Sequence, residues 1–338
     1  MTTSKHLIDP GLLPIVEQMP PLVPTTESLP GLRAAQTGLR APAPPASEVT
    51  VEERAVPGPG GSTVRVLVYS PETPTRTGAL LWLHAGGMVM GTPDMYEPQS
   101  RFLARRAGCV VNAVDYGLAP ENPYPAGLED CYAALRWAHA AADELGIPRG
   151  RIAVAGESGG GGLAAGLALL ARDRGELAVS AQFLEYPMLD DRTGTPAEPD
   201  PMPHAGEFVW TRESNRFAWG SVLGDEPGGA DSPIYASPGR AEELGGLPPA
   251  FIGVGALDLF VGENLRFARG LIRDGVPTEL HVYPGALHGF ASFSEDAEVA
   301  KNIRRDLYAA VERHFRDGGF GPVMEASPDG PETRRGER

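Results

Sequence analysis

A Gly-x-Ser-x-Gly pentapeptide constrains this chain more than any other feature. Gly156-Glu157-Ser158-Gly159-Gly160 follows the apolar run 152–155 and opens a run of small residues from 159 to 172. This setting is typical of a tight strand-to-helix turn, where flanking glycines leave room for a strained serine. The turn would hold the hydroxyl at a helix N-terminus, where developing negative charge is favoured. We therefore interpret Ser158 as a nucleophile; the alternative is a glycine-rich turn without chemistry.

Composition and charge narrow the class of protein. The chain has 338 residues, 42 % of them hydrophobic, which suffices for one large α/β domain or two smaller ones. A formal net charge of −15 argues against nucleic acid and against an anionic membrane surface as partners. Neither a signal-peptide pattern nor a membrane-span run is found in the sequence. The sequence predicts a cytoplasmic protein without a membrane span.

The two cysteines do not indicate a metal site. Neither Cys109 nor Cys131 has the spacing of metal ligands, and both fall in apolar segments. We expect buried free thiols, and a reaction that needs no metal and no cofactor.

Apolar runs alternate with helical patterns along most of the chain. The helical patterns cover 98–106, 127–145, 160–172, 262–274 and 297–315. This alternation predicts an α/β fold with a mostly parallel, eight-stranded sheet flanked by helices. The predicted strands cover residues 49–53, 64–68, 79–83, 110–114, 152–155, 181–184, 250–254 and 279–283, the first two pairing antiparallel.

Two segments break this rhythm and are predicted to form a cap. Residues 1–48 are rich in proline and leucine, and residues 189–229 carry a cluster of aromatic side chains. We expect them to cover the carboxyl edge of the sheet; the alternative for 189–229 is a peripheral helix with its own small core. The core itself would comprise 49–188 and 230–317, and the tail 318–338 is expected to be disordered.

A serine nucleophile needs a base to take its proton and an acid to orient that base. In a sheet of this kind the partners follow the serine in the order acid, then histidine. Asp258 comes just after the strand pattern 250–254, and His288 lies in the loop after the last strand. His288 follows Asp258 by 30 positions, enough for one helix and one strand, so both groups return to the sheet edge of Ser158.

Other residues compete for these two roles. Asp190 and Asp191 follow another predicted strand and are the best alternative acids. Four further histidines lie in less suitable places: His204 in the insertion, where it could touch substrate, His281 within a strand pattern, and His139 and His314 in helices, where both are expected to face solvent.

The segment His84-Ala85-Gly86-Gly87 directly follows the predicted strand 79–83. Glycines at that position let backbone N–H groups reach a substrate oxyanion, and His84 is expected to shape the loop. We predict an oxyanion hole formed by Gly86, Gly87 and Gly159. An apolar substrate pocket beside it is predicted from Met88, Val89, Phe208 and Trp210.

Several segments together resemble the hormone-sensitive lipase family of α/β-hydrolases, the bacterial type IV esterases. The resemblance covers about residues 5–316 and is more specific than any single motif. The matching segments are His84-Ala85-Gly86-Gly87 with Gly91, Asp115-Tyr116-Gly117-Leu118-Ala119-Pro120-Glu121, Tyr124-Pro125-Ala126 to Asp130, Ala236-Ser237-Pro238, Leu247-Pro248-Pro249, and Asp258 with Glu263.

The resemblance implies an α/β-hydrolase fold with a helical cap, a Ser-Asp-His triad and hydrolysis of short or medium acyl esters. It is also compatible with a homodimer. The chain departs from the family pattern at four positions, none of which removes a catalytic group. Ala85 replaces a glycine, Gly117 an arginine, Glu157 an aspartate and Gly159 an alanine. These changes bear on substrate preference and on loop rigidity.

The sequence thus predicts a carboxylesterase that acts on a small-molecule ester through an acyl-enzyme. An amidase, lactonase or deacetylase for a specialised metabolite could use the same groups. A small-molecule receptor without catalysis is the alternative of another class, and the presence of His288 argues against it.

Overall fold

One eight-stranded sheet organises the chain. The computed structural model describes residues 4–18, 22–37, 48–72, 76–294 and 296–316. The tail 318–338, which the sequence predicts to be disordered, lies outside the described residues, as do parts of 1–48. The strands are β1 Val49–Pro57, β2 Thr63–Pro71, β3 Ala79–Leu83, β4 Val110–Asp115, β5 Ile152–Glu157, β6 Gln182–Glu185, β7 Ala250–Gly255 and β8 Thr278–Tyr283.

The strand order is β1-β2-β4-β3-β5-β6-β7-β8. Strand β2 pairs antiparallel with β1 and β4, and all other pairs are parallel. The predicted mostly parallel, eight-stranded sheet is therefore confirmed. Strand β3 agrees with its prediction residue for residue, because all five of its side chains are buried and a continuous apolar run marks such a strand.

Helices cover both faces of the sheet. Leu135 of the helix Ala126–Ala140 and Leu167 of the helix Gly159–Arg174 pack in one core. Leu103 of the helix Glu97–Ala107 and Leu307 of the helix Glu298–Arg316 pack in another. No helix among the described residues is long and apolar enough to cross a membrane. The helices are α1 Leu13–Gln18, α2 Leu29–Thr37, α3 Glu97–Ala107, α4 Ala126–Ala140, α5 Ala142–Leu145, α6 Gly159–Arg174, α7 Arg212–Leu223, α8 Val261–Arg273, α9 Phe290–Phe293 and α10 Glu298–Arg316, with 3₁₀ turns at Ser4–Leu7, Pro59–Gly61, Pro93–Tyr96 and Pro238–Arg240.

The N-terminal segment contacts both the insertion and the loop that follows β3. The Leu22 N–H donates to the Val209 carbonyl at 3.2 Å. Arg33 donates from Nε to the Val89 carbonyl at 2.8 Å and from Nη2 to the Ala119 carbonyl at 2.7 Å. Because loops at strand carboxyl ends lie along one edge of a parallel sheet, these contacts place Leu22 and Arg33 at that edge.

The insertion contains one helix with a defined start. Helix α7 begins after Thr211, whose side chain and that of Ser214 form a reciprocal capping box. Trp219 on this helix is fully buried, and Trp210 just before it is 4 % exposed. Burial of these rings anchors the insertion on the sheet domain.

His314 is buried, contrary to the expectation that it faces solvent. It lies on the inner face of α10, where the Ser180 hydroxyl is 2.9 Å from its Nε2. Burial lowers the pKa of His314 to about 4, so the ring is neutral at physiological pH. Helix α10 is amphipathic, and His314 lies on its apolar face. That face packs on the sheet, so the residue is buried.

Both cysteines are free and buried, as the sequence predicts. Burial raises the pKa of Cys109 to about 12, so its thiol stays protonated and unreactive. Within the described residues no cluster of three or more His, Cys, Asp or Glu side chains could hold a metal ion.

Candidate active site

The turn between β5 and α6 holds Ser158 in a strained conformation. Its φ of 55° and ψ of −119° are rarely adopted by a residue with a side chain. A Cβ on Gly156 would overlap the Gly160 carbonyl, and a Cβ on Gly160 would overlap the Leu83 carbonyl. Gly156 and Gly160 are therefore required by close backbone approach.

Ser158, His288 and Asp258 form a continuous hydrogen-bonded chain. Ser158 Oγ lies 2.8 Å from His288 Nε2, and His288 Nδ1 lies 2.9 Å from Asp258 Oδ2. Asp258 is fully buried, and its Oδ1 accepts the Phe260 N–H at 2.9 Å. In this arrangement the imidazole can take the serine proton while the carboxylate orients the ring.

The loops that carry the acid and the base are packed backbone to backbone. The Leu257 N–H, next to Asp258, donates to the Ala286 carbonyl at 3.0 Å. A Cβ on Gly255, at the end of β7, would overlap that same carbonyl. The glycine thus allows the close approach that brings His288 to Asp258.

The two alternative acids are held by arginines. Asp190 accepts from Arg192 at 2.7 Å and from Arg266 at 3.1 Å. Asp191 accepts from Arg240 Nη2 at 3.0 Å. These ion pairs occupy both carboxylates, which leaves Asp258 as the acid that contacts a histidine next to Ser158.

The rival histidines have other surroundings. His281 Nε2 lies 2.8 Å from Glu279, and its Nδ1 lies 3.7 Å from Asp306. His204 is exposed in the insertion. The base that contacts Ser158 Oγ is His288.

Residues 84–91, called the oxyanion loop below, lie directly against the start of α6. Gly86 and Gly87 have φ values of 122° and 59°, which favour glycine. A Cβ on Gly159 would lie 2.7 Å from the Met88 nitrogen and 2.9 Å from the Gly87 nitrogen. Glycine at 159, where the resemblance expects alanine, therefore lets this loop approach the serine turn closely. The three predicted donors lie together, and their role stays a prediction.

His84 braces the oxyanion loop from inside. The ring is fully buried and stacks on Tyr116 with centroids 4.2 Å apart. Its Nδ1 lies 2.8 Å from the Ala85 carbonyl, and the Tyr116 hydroxyl donates to the His84 carbonyl at 2.7 Å. Burial lowers the pKa of His84, so the ring acts as a neutral structural element.

Of the predicted pocket residues, Trp210 and Met88 lie near the serine. The Trp210 ring edge packs on Gly87, and its centroid is 6.1 Å from that of His288. Met88 lines a small cavity with Leu163, one turn along α6 from the serine. The other two are less directly placed: the Val89 carbonyl binds Arg33, and Phe208 is half-buried beside the cluster that includes Leu12 and Val209.

Three side chains near the serine were missed as functional residues. Glu157 is buried beside Ser158, and its carboxylate is contacted by Ser292 and Tyr96. Ser292 and Tyr96 belong to no motif, because they reach Glu157 from distant segments. The glutamate itself was noted only as a departure from the family pattern.

Comparison with known proteins decides the family. A family model described as the alpha/beta hydrolase fold matches residues 80–292, more than half of the chain. The chain belongs to the hormone-sensitive lipase family of α/β-hydrolases. The resemblance noted in the sequence is thereby confirmed.

Relatives in this family match most of the chain. Esterase LipI of Mycobacterium tuberculosis is 35 % identical over 296 residues, which cover 86 % of this chain and 90 % of the relative. Carboxylesterase NlhH of the same species is 34 % identical over 315 residues, 92 % of this chain and 98 % of the relative.

Solved structures give the same result. A bacterial heroin esterase has a TM-score of 0.85 at 37 % identity, covering 93 % of this chain and 100 % of that structure. Esterase LipW from Mycobacterium marinum has a TM-score of 0.82 at 34 % identity, covering 92 % of this chain and 97 % of that structure. These family members share the fold over nearly their whole length.

Proposed function

We propose that this family member is a serine carboxylesterase. The observation that carries the proposal is the hydrogen-bonded chain from Ser158 through His288 to Asp258, with 2.8 Å and 2.9 Å contacts. The names of the relatives, several of them esterases, support the same chemistry.

The geometry supports a two-step reaction. His288 removes the proton from Ser158 Oγ, which attacks the ester carbonyl carbon and forms a tetrahedral intermediate. His288 then donates that proton to the leaving alcohol oxygen, and an acyl-enzyme remains. Water repeats the sequence and releases the acid, while Asp258 stabilises the imidazolium at each stage.

The intermediate carries its negative charge on the former carbonyl oxygen. We assign the stabilising donors to the backbone N–H groups of Gly86, Gly87 and Gly159, which lie together at the N-terminus of α6. Such donors act in a desolvated site and need no rearrangement during the reaction. An intact site of this kind argues against a receptor without catalysis.

A panel of substrates tests this function. The purified protein should hydrolyse p-nitrophenyl esters of short and medium acyl chains, with kcat/KM above about 10⁴ M⁻¹s⁻¹ for its best ester. Anilides of the same acids and simple lactones, run beside them, examine the amidase, lactonase and deacetylase alternatives. Higher kcat/KM on the anilides or lactones than on the esters would contradict a carboxylesterase.

The leaving alcohol must lie on the histidine side of the serine, because His288 donates to its oxygen. On that side the structure has an apolar surface formed by both cap segments. Ile15 comes from α1, Leu12 directly precedes that helix, and Val209 comes from the insertion. We therefore propose that residues 4–18, 22–37 and 189–229 form a cap whose α1 contacts the alcohol part of the ester, while Met88 contacts the acyl part.

Replacing Ile15 with alanine should change how kcat/KM depends on the alcohol part of the ester and leave its dependence on the acyl part unchanged. At a fixed acetyl group, kcat/KM should fall more steeply from methyl to butyl to hexyl esters, by up to about fourfold per lost methylene contact. The measurement is kcat/KM for that series and for methyl esters of increasing acyl length. Val16→Ala, on the same helix and outside that surface, is the matched control. Steeper losses along the acyl series would contradict the assignment.

The homodimer and the cytoplasmic location remain proposals. The dimer rests on the family resemblance, and the location rests on two cysteines that are free and buried. Sedimentation analysis and cell fractionation measure them directly.

A further inference from the structure

A buried carboxylate links the segments that surround the nucleophile. Glu157 is the last residue of β5 and directly precedes Ser158, and it is 3 % exposed. A buried charged group needs partners, because removing a carboxylate from water is costly. Side chains from three other segments interact with Glu157: Tyr186 directly after β6, Ser292 and Tyr96.

The first partner lies on the histidine side. The Ser292 hydroxyl is 3.0 Å from Glu157 Oε1 and 3.1 Å from Oε2. Ser292 belongs to α9, the short helix that begins two residues after His288. The carboxylate therefore connects the residue before the nucleophile to the segment after the base.

The second partner lies on the oxyanion side. The Tyr96 hydroxyl interacts with the Glu157 carboxylate and accepts the Ala85 N–H at 3.3 Å. Ala85 directly precedes the predicted donor Gly86. The same carboxylate is thus linked, through one phenol, to the oxyanion loop.

A neighbouring acid helps to determine the charge at this position. Glu185 is the cross-strand partner of Glu157 on β6 and is also buried. Burial and the nearby Glu157 raise the pKa of Glu185 to about 8, so this acid is mostly protonated at neutral pH. Burial raises the pKa of Glu157 too, while interactions with Tyr186, Ser292, His288 and Tyr96 act in the opposite direction. Of the two acids, Glu157 is the one that accepts a hydrogen bond from Ser292.

We propose that Glu157 is a positioning residue that holds the nucleophile turn, the oxyanion loop and the His288 segment in the geometry needed for catalysis. The proposal rests on the carboxylesterase function proposed above. It assigns Glu157 no contact with substrate; the residue acts through Ser292 and through Tyr96. Small errors in the relative placement of reacting groups cost rate, up to about 100-fold for a displacement of 1 Å.

The test compares kcat and KM for p-nitrophenyl butyrate in variants of the network. Glu157→Gln should lower kcat by about 10- to 100-fold, with KM within about twofold, because substrate contacts are unchanged. Tyr96→Phe and Ser292→Ala should each lower kcat by about fivefold or more for the same reason. Ser292→Thr keeps the hydroxyl and should retain wild-type kcat.

Two matched controls remove the same groups elsewhere. Tyr132→Phe deletes a hydroxyl that donates to Glu176 at 2.9 Å, and Ser180→Ala deletes one that contacts His314 at 2.9 Å. Both should keep wild-type kcat even where the melting temperature falls.

Two results would overturn the inference. One is a kcat within twofold of wild type in Glu157→Gln, Tyr96→Phe and Ser292→Ala. The other is a loss of kcat in Tyr132→Phe or Ser180→Ala as large as the loss in the Glu157 network variants, when the melting temperatures fall equally. Ser292 is exposed, so its alanine variant should fold. The kcat of Ser292→Ala therefore tests the positioning role even if Glu157→Gln fails to fold. Absence of ester hydrolysis in the unchanged protein would instead remove the proposed function itself.

Discussion

Replacement of Ser158 by alanine is expected to lower kcat by about 10⁴–10⁶-fold while the protein stays folded. Among the described residues, the Ser158 hydroxyl is the nucleophile in contact with His288, and no covalent intermediate forms without it. Alanine removes one oxygen and leaves the backbone of the turn, which the neighbouring glycines permit, unchanged. The melting temperature should therefore change little. The measurement is kcat on p-nitrophenyl butyrate beside a thermal unfolding curve.

A fluorophosphonate provides an independent check on the same residue. It should label the unchanged protein at Ser158 alone and leave the alanine variant unlabelled, because labelling needs an activated hydroxyl. Labelling at another serine, or retained hydrolysis by the variant, would show that the nucleophile is elsewhere.

Loss of the base or the acid is the second large expected effect. His288→Ala should be about as damaging as loss of the serine, because the groups act as a unit. Asp258→Asn should cost up to about 10⁴-fold, since an amide at this position favours the wrong imidazole tautomer. The measurement is kcat/KM across pH for each variant. In the unchanged protein it should rise with pH through roughly 6–7, where a histidine base loses its proton.

Asp190 and Asp191 provide the matched controls for the acid. Both are buried and bound by arginine, so their asparagine variants should lose stability rather than turnover. If either asparagine variant abolished turnover at an unchanged melting temperature while Asp258→Asn did not, the acid has been assigned to the wrong residue. A flat pH profile would count against His288 as the base.

Local patterns sufficed to predict much of the fold and the chain from Ser158 to Asp258. A strand buried on both faces has no polar alternation, so β3 and β5 are visible as continuous apolar runs. The serine turn is visible because backbone overlap excludes all residues but glycine at 156 and 160. Chain order and strand ends then limit the acid and the base to a few positions.

Interactions between distant segments could not be predicted in this way. Ser292 and Tyr96 approach Glu157 only after the sheet has brought three segments together. His314 was wrongly expected to face solvent, because a histidine in a helix does not reveal which neighbours cover it. The predicted helix 127–145 is interrupted at Ala141, whose ψ of 9° leaves the helical range, and no glycine or proline marks that point.

The contacts of the N-terminal segment determine when the site can be completed during folding. Ser4 donates to Glu207, which lies 203 residues later, and Arg33 binds carbonyls 56 and 86 residues later. Ser4 and Arg33 therefore have no docking surface until β3, β4 and the insertion have been made. Contacts of such sequence separation form late, since loop closure must precede them. The contacts that hold the N-terminal segment against the site are thus expected to form after those of the strands and the insertion that they bind.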